Sequence, residues 1–174
     1  GVGMSVPAWL SDYSNLEMVK SGGNLVRWMH VTPWKQDIES CDRVGLIQAM
    51  PAGDAEKDVE GRRWEHRVEL MRDAIIYNRN NPSIIFYECG NENISDTHMA
   101  EMKAIRDLYD PHGGRAIGSR EMLGSKVSEY GGEMLYINKS GGQPLWAMEY
   151  CRDEGLRRYW DNWSYPYHRS GDGP

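Results

Sequence analysis

The chain has 174 residues and a formal net charge of −6, with 40% hydrophobic and 26% charged residues. That length is about one domain, and the acidic balance gives no basic footprint for nucleic acid. Apolar runs of only a few residues exclude a membrane-spanning helix, and three cysteines without a CxxC pair indicate neither a disulfide framework nor a zinc knuckle.

The chain opens on Gly1 rather than Met and shows no signal-peptide pattern. This suggests a processed or excerpted chain and gives no compartment. Asp12 to Lys20 predicts a short helix with an Asp cap, stopped by Gly22-Gly23. NLVRWM (24–29) is the first strand. Trp34, Ile38 and Cys41 then recur at helical spacing before Gly45 opens the strand LIQAM (46–50). A polar loop runs from Pro51 to about Gly61. Trp64, Val68, Met71 and Ile75 form the stripe of a longer helix that NRNNP (78–82) ends. The strand IIFY (84–87) leads into Glu88, Cys89, Gly90, Asn91 and Glu92. Asp96 is placed to cap a helix with Met99, Met102 and Ile105 inward, closed by Asp110-Pro111. RAIGS (115–119), EMLYI (133–137) and PLWAME (144–149) are three further strands, and a helix from about Arg152 to Trp163 follows.

Strands alternating with helices predict a parallel α/β fold. The paired glycines at 22–23, 113–114, 131–132 and 141–142 fit helix stops and turns, and none makes a phosphate-binding loop. Six strands are two short of a (β/α)₈ TIM barrel, which typically takes about 250 residues. Residues 1–174 therefore read as one partial, incomplete barrel, and the native polypeptide is expected to continue past Gly1 and Pro174. Six parallel strands with open edges would leave unpaired backbone groups.

In such a barrel, chemistry lies on the loops that follow the strands. Two strands finish near a carboxylate, Glu92 and Glu149, which are remote in sequence. Paired carboxylates across a cleft are what glycosidic bond cleavage requires. Each alone could equally favour a helix N-terminus or meet a surface arginine. Asn91, beside the first acid, is able to donate to a sugar hydroxyl or to serve as a turn residue. Seven Trp and ten Tyr against one Phe also suit a sugar site, though ordinary core and surface rings account for the same balance.

GGNLVRWMH, CDRVGL, RNNPSIIFYECGNE and PLWAMEY, in this order and spacing, resemble glycoside hydrolase family two, the β-galactosidase and β-glucuronidase type. The resemblance covers about Leu16 to Tyr150. It implies a retaining exo-β-glycosidase on a TIM barrel, β-galactosidase-like, with this chain supplying strands two to seven and the family's β-sandwich domains absent. By motif position Glu92 is similar to the acid/base, Glu149 to the nucleophile and Asn91 to the sugar-contacting Asn. Arg27 and His30 match the family's strand-two Arg and His, although a barrel-core ion pair is the preferred reading for Arg27. Tyr136 is offered as a group orienting the nucleophile, and Trp160, with Trp163 or Tyr165, as a sugar-stacking wall. Asp54 and Glu56 do not align with the acids that hold a divalent ion in the family's galactosidases, so no metal is predicted, nor any cofactor.

The expected partner is a carbohydrate, and no oligomeric state follows. A glucuronide or mannoside on the same machinery is the nearest alternative, and a non-catalytic carbohydrate-binding relic or an inactive fragment is another. Asn138-Lys139 would suit a glucuronide carboxylate, but an exposed turn is preferred there. His66, His98 and His112 read as surface or cap residues, and Met99 and Met102 as core.

Overall fold

Short apolar runs cannot satisfy their backbone groups alone, and here they do so by pairing side by side. A computed structural model describes residues 6–53, 56–133 and 141–149. In chain order the elements are α1 (Ala8–Lys20), β1 (Leu25–Arg27), α2 (Lys35–Val44), β2 (Ile47–Pro51), α3 (Gly61–Asn78), β3 (Ile84–Glu88), α4 (Asp96–Tyr109), β4 (Ala116–Arg120), β5 (Gly131–Glu133) and β6 (Leu145–Ala147). Every strand pairs in parallel with the next, giving one sheet in the order β1-β2-β3-β4-β5-β6. The register of β2 against β3 slips between Gln48 and Ala49.

The sheet is curled. Its edge strands are β1 and β6, which a flat sheet would hold five spacings apart, ~24 Å at ~4.8 Å each. Yet Arg27, ending β1, lies 2.9 Å from Glu149, just past β6. This is the curvature of an incomplete (β/α) barrel.

Alternation along the strands divides the side chains between two faces. Tyr87 points outward to a fully buried cluster with Ile38, Met50, Met71, Ile75, Met99, Met102 and Ile117, which packs the helices on the sheet. Each such side chain contributes about 1.5–3 kcal/mol by leaving water. Phe86 and Glu88 share the opposite, inner face. No helix among the described residues is long and apolar enough to cross a membrane.

Several expectations are corrected. The first helix begins at Ala8, not Asp12, after Pro7. Its early turns carry exposed Trp9 and Tyr13, so no buried stripe marks them. Asp12 pairs with Arg43 instead of capping. Trp34 is the exposed N-cap of α2 rather than part of its buried face. Ser95, not Asp96, caps α4, its hydroxyl accepting from the His98 N–H at 3.2 Å. His98 is buried rather than superficial, stacked on Trp64 with ring centroids 3.7 Å apart.

The Gly131-Gly132 pair was expected as a turn but forms most of β5, which overlaps EMLYI only at Glu133. The physical reason is close approach. A Cβ on Gly131 would come within 2.7 Å of the Leu123 nitrogen, and one on Gly132 within 1.9 Å of Met148 Sδ. Residues 134–137, Tyr136 among them, and the expected helix 152–163 with Trp160 lie outside the described residues.

Candidate active site

The strand ends converge on one side of the curled sheet, and the charged residues there are held by β1, β3 and the turn after β6. Arg27 is central. Its Nε donates to Glu88 Oε2 at 2.8 Å, and its Nη2 donates to Glu88 Oε1, a forked pair with both partners buried. Nη1 donates to Glu149 Oε1 at 2.9 Å, and Nη2 also reaches Asn91 Oδ1 at 2.8 Å. The planar guanidinium suits this task because it presents five donors in a rigid fork. One arginine thus ties together β1, β3, the loop after β3 and the residue expected as nucleophile.

The Gly90–Glu92 loop is fixed by its backbone. The Ser119 hydroxyl lies 2.6 Å from the Gly90 carbonyl oxygen and 2.8 Å from that of Glu92. Arg120 Nε donates to the Asn91 carbonyl at 2.5 Å. From the other side, the Glu92 N–H donates to the Glu56 carbonyl at 2.7 Å. The Glu92 side chain is half-buried beside these anchors.

His30 follows β1 with a φ of 65°, a left-handed conformation that a non-glycine residue adopts at a cost. Its Nε2 lies 3.7 Å from Glu56 Oε2, while its Nδ1 is buried with no hydrogen-bond partner among the described residues. Burial lowers the imidazole pKa and outweighs the opposing Glu56 carboxylate, so His30 is neutral near pH 7.

Burial also pushes the Glu88 carboxyl up, and the Arg27 guanidinium opposes that push. Burial works against the Arg27 charge as well, but Glu88 and then Glu149 outweigh it and raise its pKa. On balance the Glu88 pKa is raised, while the two guanidinium N–H groups on its two oxygens favour the ionised form.

On the inner face, Phe86 stacks on Trp146 with centroids 5.2 Å apart, and Tyr130 packs against both. The Tyr130 hydroxyl donates to the Tyr87 carbonyl at 2.9 Å.

Of the residues singled out in the sequence, Asn91 and Glu149 each meet Arg27 directly, with His30 joined to Asn91 through Glu56. Glu92 adjoins them through its backbone, and Tyr136 and Trp160 fall outside the described residues. Sequence reasoning missed Glu88 as the main partner of Arg27 and Glu56 as the link to His30. The signal for Glu88 was present: an Arg and a Glu at the ends of two otherwise apolar strands need each other once buried.

Asp58, Glu60 and His98 place ligand atoms within 4.8 Å of one another. The Asp58 oxygens accept from the Val59 and Ser95 N–H groups and meet His98 Nδ1 at 2.6 Å, and His98 Nε2 lies 3.8 Å from Glu60 Oε2.

No family profile matches the chain. A β-glucuronidase of Formosa agariphila is 34% identical over 167 residues, 92% of this chain but only 17% of that protein. The solved structure of a β-glucuronidase from glycoside hydrolase family two superposes with a TM-score of 0.71 at 30% identity, covering 80% of this chain and 15% of the other. A family-two β-galacturonidase from Eisenbergiella tayi, bound to galacturonate, shares the fold with a TM-score of 0.66 at 18% identity, over 80% of this chain and 31% of the other. The chain thus spans less than a third of the length of each of these relatives.

Proposed function

The chain is a homologue of the barrel region of glycoside hydrolase family two, and from that premise we propose that its parent polypeptide is a retaining exo-β-glycosidase. Glu149 is the nucleophile and Glu92 the acid/base. The observation that carries this reading is the ion pair between Arg27 and Glu149 across the open side of the sheet. It holds a carboxylate that is 17% exposed at the ends of the strands, where β1 and β6 approach each other.

In the first step, Glu149 attacks the anomeric carbon and forms a glycosyl ester. Glu92 gives its proton to the departing glycosidic oxygen. In the second step, Glu92 takes a proton from water, the water oxygen attacks the same carbon, and Glu149 leaves as carboxylate. Two inversions give net retention. Arg27 stabilises the ionised form of Glu149 and holds its orientation before attack. Asn91 offers its amide to the sugar 2-hydroxyl, an interaction that strengthens in the transition state. Neutral His30 lines the pocket beside it.

The relatives' activities favour a β-linked uronide, a glucuronide first, as the sugar, with a β-galactoside second. On this reading β1 to β6 take the places of barrel strands two to seven. The test is hydrolysis of 4-nitrophenyl β-glucuronide, β-galacturonide, β-galactoside and β-mannoside by the intact polypeptide and by this chain. Turnover of the uronides in the intact polypeptide is expected. Binding without turnover of any of the four would contradict the enzymatic reading in favour of a carbohydrate-binding relic.

A further inference from the structure

Asn91 presents a carboxamide whose two ends are not interchangeable. Arg27 has only donors, so the atom that meets it at 2.8 Å is Oδ1. The amide nitrogen therefore faces the other way, where Glu56 Oε1 accepts from Nδ2 at 3.3 Å. The second Glu56 oxygen lies 3.7 Å from His30 Nε2, and the Glu56 carbonyl accepts from the Glu92 N–H at 2.7 Å.

Glu56 thus touches three residues of the site from the loop after β2, where no ladder pairing requires it to be. Its side chain is 52% exposed, and a hydrogen bond or ion pair so open to water adds little to folding stability. Orientation is the consequence that remains. A carboxylate on one amide N–H leaves the other available to a ligand, and the same carboxylate lies beside the His30 ring.

We infer that Glu56 is a positioning residue for glycone recognition: it orients Asn91 toward the sugar 2-hydroxyl and His30 toward the pocket. This rests on the glycosidase reading above. It makes the loop after β2 part of the specificity machinery.

The experiment compares Glu56→Ala, Glu56→Gln and Asn91→Ala in the intact polypeptide, on the best nitrophenyl glycoside of the panel and on its 2-deoxy analogue. Thermal melts accompany each variant. Glu56→Ala is expected to lower kcat/KM about tenfold on the parent sugar and less than about twofold on the 2-deoxy sugar, as one orienting hydrogen bond is lost. Glu56→Gln, which still accepts from Asn91, should stay within about threefold on both. Asn91→Ala should show the same sugar dependence, more strongly. Equal losses on both sugars for Glu56→Ala, with Asn91→Ala still discriminating, would overturn the positioning role alone. If Asn91→Ala also fails to discriminate, both the proposal and the assignment of Asn91 to the 2-hydroxyl fall. Absence of turnover on every sugar would overturn the glycosidase reading and this proposal together.

Discussion

Removing Arg27 isolates a carboxylate that water cannot reach. Glu88 is fully buried, and both of its oxygens accept from the guanidinium. Arg27→Met keeps the apolar stem and deletes the charge. Breaking a buried ion pair by deleting one partner costs about 3–5 kcal/mol. The hydrogen bonds to Asn91 and Glu149 are lost too, but as one network they will not add in full. Against a total stability of about 5–15 kcal/mol, the loss is a large fraction.

The pH dependence identifies the cause. In wild type Arg27 opposes the upward push of burial on Glu88, and in the variant burial and the Glu149 charge push upward against Arg120 alone. The folded-state pKa then lies further above the unfolded value, about 4.3. A carboxyl whose folded pKa is raised contributes stability below the unfolded pKa and loses it as pH rises through the folded pKa. The deficit of Arg27→Met should therefore be largest near pH 7 and shrink toward pH 5. Urea unfolding of the intact polypeptide at the two pH values measures this. Adding Glu88→Gln should recover part of the pH 7 loss. A deficit under about 1 kcal/mol, or one that grows on acidification, would refute the reasoning.

Three further outcomes follow from named contacts. His30, followed by NMR of its imidazole, should titrate below its ordinary 6.5 because burial outweighs Glu56, and a value above that would contradict the packing around it. Gly118→Ala would bring a Cβ within 2.6 Å of the Tyr130 carbonyl oxygen, so a loss of about 1–3 kcal/mol in the unfolding free energy is expected. No change in the urea midpoint would mean that β4 and the Tyr130 segment are not so closely apposed. Glu92→Gln should spare glycosides with good leaving groups in the first step far more than poor ones, and an equal loss for both would remove it from the acid role.

How far the fold was legible depended on whether a local pattern and its tertiary setting agreed. The stripe of Trp64, Met71 and Ile75 marked α3 because its period matches the face it buries. Met99 and Met102 likewise fell in the core as expected. The start of α1 was missed because Trp9 and Tyr13 are exposed and give no apolar period. β5 was misplaced because glycine pairs usually mark turns, whereas Gly131 and Gly132 serve close packing against Leu123 and Met148. At the site, the residues tied to strand ends could be found from the run of apolar positions before them. Glu56 could not. Its contacts with His30 and Asn91 are tertiary, and no spacing in the sequence records them.

The nucleophile is the centre of the account, and it is open to direct capture. A 2-deoxy-2-fluoro β-glycoside with a good leaving group, matched to the sugar the intact polypeptide hydrolyses best, should form the glycosyl ester and release it slowly. Fluorine destabilises the oxocarbenium-like transition states of both steps, and the leaving group keeps the first one fast. Proteolysis and mass spectrometry then locate the attached sugar. The sugar is expected on Glu149, within the peptide PLWAMEY, with time-dependent inactivation at one label per chain. Label on any other residue, or a stable active enzyme with no label, would contradict it.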